Sequence, residues 1–338
     1  MTTIGIGTEK GGFVLQRSNG TWNVTGPHFP GWKVTTWSTT PQGNYLAAVA
    51  SNWFGSTLHT SADLENWEQV PNGPSYPEDG PKFNQIWTIH PHGTSLLAGV
   101  DEAGLFRSHD DGLTWEPVKA LNDYPGRAGW FPGFGGLCAH HILSDEDRIW
   151  VGISAVGVFR SDDGGETFEK RDQGVTPTGD DPEPLFCVHG LCADPSDPNR
   201  IWRQDHTGVY RSTDGADSWE RIETGLPAVF GFPIRRDNAT GRLFVVPLEA
   251  DTNRLPVNGS LAAYRSDDDG DSWQVAGTGW DNSATFTTVL RGAMDTDGSG
   301  GVFFGTTGGD VWATEDRGDS WERLPHGFPR ILSVKALG

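Results

Sequence analysis

Ser108-His109-Asp110-Asp111-Gly112-Leu113-Thr114-Trp115 spells a pattern, Ser-x-Asp-x-Gly-x-Thr-Trp, to which this chain keeps returning. Close copies occupy 161–168 (SDDGGETF), 212–219 (STDGADSW), 266–273 (SDDDGDSW) and 314–321 (TEDRGDSW). Two worn copies precede them, TSADLENW at 60–67 and RSNGTW at 17–22, the latter without its aspartate. The closing aromatics Trp22, Trp67, Trp115, Phe168, Trp219, Trp273 and Trp321 recur about every 50 residues, which implies one supersecondary unit per repeat. Each residue type has a task in a tight turn. Asp accepts backbone N–H groups, Gly takes a positive φ, the Ser or Thr hydroxyl caps the turn, and the aromatic packs beneath it. The pattern therefore ties a β-hairpin and its residues are structural rather than catalytic.

On these boxes the chain resembles the BNR or Asp-box repeat β-propellers, a sialidase-like group that also includes xyloglucanases, sortilin-type receptors and photosystem assembly factors. The resemblance covers nearly the whole chain and implies an all-β, seven-bladed β-propeller with Asp-box hairpins. The same box is carried by enzymes, receptors and scaffolds, so function has to be argued from a site.

The composition fits one propeller domain spanning residues 1–338. Gly 46 and Pro 22 suit many short strands, and Trp 15 reflects one aromatic in nearly every box. No apolar run is long enough to cross a membrane as a helix. Met1 leads directly into an apolar strand at 3–7 without the charged start and apolar core of a signal peptide, so a cytoplasmic location is expected. A net charge of −20 disfavours nucleic acid and acidic membranes as partners and suits a dispersed monomer. Cys138, Cys187 and Cys192 fall in predicted inner strands, where buried free thiols are expected.

Blade three shows the grammar: inner strand 83–90, then 95–100, 104–108 and outer strand 114–118, with the box joining the last two. The other inner strands are predicted at 32–40, 136–143, 185–193, 229–236 and 285–294. Blade one, residues 2–25, lacks an inner strand, and 330–337 has inner-strand character with no blade of its own. The C-terminal strand, within 330–338, is therefore predicted to complete the N-terminal blade and close the ring.

This topology places the boxes on one face and the long connections 23–31, 71–82, 119–135, 172–184 and 249–260 on the other, around the channel mouth. Loops longer than a turn requires are the place to seek function. Trp32, Trp53, Tyr124, Arg127, Trp130, Arg254 and Trp280 are the candidate ligand-binding residues there. Aromatics beside carboxylates suit a sugar ring, and Asp101, Glu102 and Glu249 are the candidate catalytic carboxylates. The alternative is that the aromatics plug the channel or pin loops.

Histidine gives the most specific constellation. Aligning inner strands on Asp145 and Asp194 puts His140 and His189 at equivalent places on neighbouring blades, with His141 next to the first and His206 in a turn of blade five. His140, His141, His189 and His206 form a candidate site for a divalent zinc, manganese or iron ion, with Asp205 as a supporting partner. Without metal, His140, His189 and His206 are candidate acid–base groups.

A sialidase needs three pocket arginines, a Tyr–Glu pair and an acid. Arg107, Arg160, Arg211 and Arg265 belong to repeating Arg-Ser steps before boxes, and Arg148, Arg200 and Arg242 recur before second strands. Arg127, Arg203, Arg235, Arg236, Arg254, Arg291 and Arg330 remain. The sialidases that the resemblance brings to mind have six blades and an N-terminal Arg-Ile-Pro signature that this chain lacks, so sialidase proper is disfavoured. Three readings stay open: a glycosyl hydrolase-like enzyme acting on a small molecule or saccharide, a metal-dependent hydrolase or lyase on the histidines, and a non-catalytic binding or scaffold propeller.

Overall fold

The computed structural model describes residues 2–51, 53–133, 135–179, 185–281 and 284–338. It comprises seven four-stranded antiparallel sheets arranged as blades. In blade one the order is Ile331–Ala336, Thr3–Thr8, Gly11–Ser18, Thr21–His28, so the C-terminal strand is the inner strand of the N-terminal blade. Register pairs Ile4 with Ala336 and Ile6 with Val334. The closure is tied further by Leu337 N–H donating to the Thr3 carbonyl at 2.8 Å. The ring predicted from the surplus strand at one end and the deficit at the other is the ring observed.

The boxes work as the residue types suggest. In blade three the Asp110 carboxylate accepts the Thr114 N–H at 2.8 Å and the Thr114 hydroxyl at 2.6 Å, while Gly112 N–H donates to the Ser108 hydroxyl at 2.9 Å. Asp111 and Gly112 both take positive φ, 63° and 91°, so the turn needs two such residues in succession. Because Thr114 is occupied by Asp110, the outer strand pairs only over Glu116–Pro117, shorter than predicted.

The repeating arginines bind the boxes of adjacent blades. Arg107 donates to the Gly164 carbonyl at 2.6 Å, Arg160 to Gly215 at 2.8 Å, Arg211 to Asp269 at 3.2 Å and Arg265 to Gly318 at 3.1 Å. Arg200 likewise meets Asp269 at 2.5 Å, and Arg242 donates to the Arg317 carbonyl at 2.7 Å. These side chains are cross-links between the boxes of neighbouring blades.

Two inner strands are much shorter than predicted, the others differing by up to three residues at their ends. Blade five pairs over Gly190–Asp194 and blade seven over Met294–Thr296. Ahead of the first, the Cys187 carbonyl accepts from Arg203 at 3.1 Å. Ahead of the second, Thr288 and Thr307 bond each other's backbone and side chain, at 2.8 and 3.0 Å. All three cysteines are free and buried. No described helix is long and apolar enough to cross a membrane.

One box aspartate sets an expected result. The Asp316 carboxylate accepts Ser320 N–H at 2.8 Å and its hydroxyl at 2.5 Å, so Asp316→Ala should lower stability by about 1–2 kcal/mol with no change at the channel. Calorimetric melting checks this, and an unchanged midpoint would refute it. Box carboxylates also imply acid sensitivity. The Thr167 hydroxyl and N–H and the Ser161 hydroxyl hold Asp163 down at about 2. A depressed folded value means the stabilisation is present above the ordinary carboxylate range and fades as pH falls toward about 2.

Candidate functional site

The inner strands carry register shifts at the same level of the channel. Between Val34 and Thr36, Ile86 and Thr88, Ala139 and His141, and Gly231 and Ile234, the ladder skips Thr35, Trp87, His140 and the Phe232-Pro233 step. A bulge of this kind re-aims a side chain and is common beside functional sites.

These shifts sort the four candidate histidines into two pairs. His140 and His141 are buried, with their Nδ1 atoms 2.9 Å apart, so one must donate and the other accept. His189 and His206 pack edge to face, with ring centroids 4.5 Å apart. The thiol of Cys187 joins the second pair. One ligand atom from each of Cys187, His189 and His206 lies within 4.8 Å of the other two. Among the described residues this group can hold a metal ion, and His140 and His141 stand outside it. Cys187 had been read only as a buried thiol. Its spacing was the available signal, since Cys187 and His189 are two residues apart and an extended chain turns such residues to one side.

The local bonding prepares His189 as a ligand. Its Nδ1 donates to the Gly231 carbonyl at 2.7 Å, which leaves the lone pair on Nε2, and that atom is buried without a partner. A backbone carbonyl on the far nitrogen is the usual orienting contact of a metal-bound imidazole. The Nδ1 of His206 is also buried and unpartnered. Burial holds His189 well below the ordinary imidazole range, with Arg291 and His206 adding to the effect. Burial brings His206 to about 4 against the opposing pull of Asp251, and burial raises the Cys187 thiol. The imidazoles are thus neutral, as ligands must be, while the thiol would be ionised by the metal itself.

Asp205, expected beside the imidazoles, instead shapes the turn that carries His206. It accepts from Thr207 N–H at 2.7 Å and Gly208 N–H at 3.0 Å and meets Arg203 at 3.2 Å. The candidate carboxylates do not enter the histidine group. Asp101 accepts from Asn84 at 3.0 Å, the Glu102 carbonyl accepts from Tyr76 at 2.7 Å, and Glu249 accepts from Asn253 and the Asn258 N–H at 2.9 and 3.0 Å within its own loop.

The candidate binding residues are spread around the face. Trp32 stacks on Phe54 at 5.6 Å, and Trp53 is 89% exposed. Tyr124 and Trp130 pack on Phe159, Arg127 stacks on Trp130, and Trp280 packs on Phe304, Trp312 and Trp321 while donating to the Ala276 carbonyl. These four pin loops and blades. Arg254 and Arg291 come to His206, each over the Phe232 ring, at 5.5 and 4.9 Å, while Arg235 comes to His141. Burial pulls Arg291 down to about 10. Arg203, Arg235 and Arg236 pair with Asp172, Asp295 and Asp194. Part of the 172–184 connection, from residue 180 on, lies outside the described residues.

No protein-family model matches the chain, and no curated protein matches it significantly. Solved structures do. YCF48 bound to a D1 peptide superposes with a TM-score of 0.58 at 14% identity, covering 89% of this chain and 85% of that one. An ancestral GH74 enzyme gives 0.54 at 16% identity over 90% of this chain and 38% of that one. PorZ, a surface component of the type-IX secretion system of Porphyromonas gingivalis, gives 0.54 at 13% over 88% and 33%. At such identities the likeness is one of fold: the chain is a seven-bladed β-propeller, similar in architecture to YCF48 and to a GH74 enzyme.

Proposed function

We propose that this propeller is a metal-dependent hydrolase or lyase acting on a small molecule at its channel mouth, centred on Cys187, His189 and His206. The observation that carries the reading is the buried, unpartnered Nε2 of His189, oriented by the Gly231 carbonyl and grouped within 4.8 Å of Cys187 and His206. One thiol and two imidazoles form a borderline-soft set that favours zinc, with manganese and iron less suited. Three protein ligands with a fourth position left for water or substrate is the pattern of catalytic rather than structural zinc. Bound there, such an ion supplies Lewis acidity and an acidified water. Phe230 and Phe232, packed on His189 at 5.4 and 4.8 Å, keep solvent from the ligand edges. Asp251, whose charge acts on His206, is a carboxylate placed to accept a proton.

A second reading, a non-catalytic binding propeller, is favoured by the engagement of Asp101 and Glu249 in loop bonds. The same observation weakens the glycosyl hydrolase-like reading.

Elemental analysis of the purified, untagged protein tests the proposal. About one equivalent of zinc is expected, lost in Cys187→Ala and His189→Ala and retained in His140→Ala. Absence of metal even after reconstitution would overturn it and leave the binding propeller.

A further inference from the structure

We propose a second, separate site inside the central channel: a cavity of about 70 Å³, lined by Arg291, Arg235, Lys335 and His140, that binds a small oxyanion such as inorganic phosphate, sulfate or a short carboxylate. None of the candidate metal ligands Cys187, His189 and His206 lines it, so it stands or falls independently of the metal.

The charges on its wall do not balance. Three cations face one carboxylate, Asp295, which is already held by Lys335 at 3.0 Å and Arg235 at 3.6 Å. Arg291 has no carboxylate partner among the described residues, and its Nε is sealed from solvent without an acceptor. Its titratable neighbours are the thiols of Cys138 and Cys187, the neutral imidazoles of His140, His141, His189 and His206, and a second guanidinium, Arg254. Arginine cannot relieve this by losing its proton, so a desolvated positive charge remains for an anion to neutralise.

Neutral groups on the same wall add unused hydrogen-bonding capacity. Trp37 Nε1, Ser333 Oγ and His140 Nε2 are buried without partners. The 2.9 Å contact between the two Nδ1 atoms fixes one proton between His140 and His141. When His141 is the donor, His140 carries its own proton on Nε2 and joins the donors, the tautomer an anion would select. The bulge that leaves His140 out of its ladder is what brings it to the channel wall. The space exceeds what one water needs and admits about four or five heavy atoms, the size of phosphate, sulfate or acetate. Waters would satisfy the hydrogen bonds but not the charge, and so an anion is the better occupant.

Chelator-treated, full-length protein is titrated with inorganic phosphate, sulfate and acetate at constant ionic strength in sodium chloride. Heat of binding and melting temperature are both followed. Saturable binding of at least one anion is expected, with a rise in melting temperature. Affinity should fall about tenfold or more in Arg291→Gln and less in Arg291→Lys, which keeps the charge but loses the fork. Ser333→Ala, a mild change, should weaken binding a few-fold and carries the test if Arg291→Gln does not fold. The preferred anion separates a tetrahedral oxyanion from a carboxylate. No saturation by any of the three would overturn the proposal, as would binding indifferent to both Arg291→Lys and Ser333→Ala.

Discussion

Removal of residues 330–338 is expected to abolish cooperative folding rather than merely to lower the melting temperature. The strand Ile331–Ala336 is the inner strand of blade one, and without it Thr3–Thr8 keeps an open edge of unpaired backbone groups facing the channel. The segment also fills the seam between the first and last blades. Ile331, Val334 and Leu337 are 0, 2 and 5% exposed, and the Ala336 N–H reaches Asp295 in blade seven at 3.0 Å. Burying three such side chains contributes on the order of 5–8 kcal/mol, comparable with the whole net stability of a typical domain. Thermal melting followed by circular dichroism checks this. A truncated chain with the midpoint and sharpness of the full one would refute the closure, whatever its activity.

The fold was legible because its determinants are local. Box turns are made by side chains that bond backbone within four residues, as Asp110 does with Thr114, so the letters alone specify the hairpin. Ring closure was legible for a different reason: an orphan strand at one end matches a gap at the other. Where neither reason applies, reading fell short. The inner strand of blade five starts at Gly190 because Arg203 holds the Cys187 carbonyl, a contact between residues sixteen apart that no periodicity reveals.

The site was half legible. His206 was placed with His189 by its turn in blade five on the same face, and the two rings do meet. His140 was expected with them at an equivalent position, but the register shift between Ala139 and His141 gives it His141 as its partner instead. A bulge is set by packing around the channel and leaves little trace in the letters. The repeat sorted the arginines into cross-links and remainder, yet it gave no means of separating Arg203, which lies between two aspartates, from Arg291, which meets no carboxylate among the described residues. Which guanidinium lacks a carboxylate is decided by contacts distant in sequence.

Arg203→Met should give the other large effect, and its size should depend on pH. The guanidinium has no exposed side-chain surface and lies between Asp172 at 2.5 Å and Asp205 at 3.2 Å, themselves 5 and 2% exposed. Removing it leaves Asp205 with no cation and Asp172 with only the half-exposed Lys170 at 3.7 Å, and breaking a buried ionic group from one side typically costs about 3–5 kcal/mol. Burial already raises Asp205 above the ordinary carboxylate value, opposed chiefly by Arg203, so the variant should raise it further. A carboxyl raised in the folded state favours the protein below its unfolded value and works against it as pH climbs through the folded one. The penalty should therefore be greatest near neutral pH and shrink on acidification through the carboxylate range. Asp172→Ala should be milder, because Arg203 and Asp205 remain as a neutral pair. Urea unfolding of both variants at about pH 7.5 and pH 5 decides the matter. Equal penalties at the two pH values would mean that the lost packing of Arg203 over Trp219, at 5.8 Å, rather than its charge, is what the blade depends on.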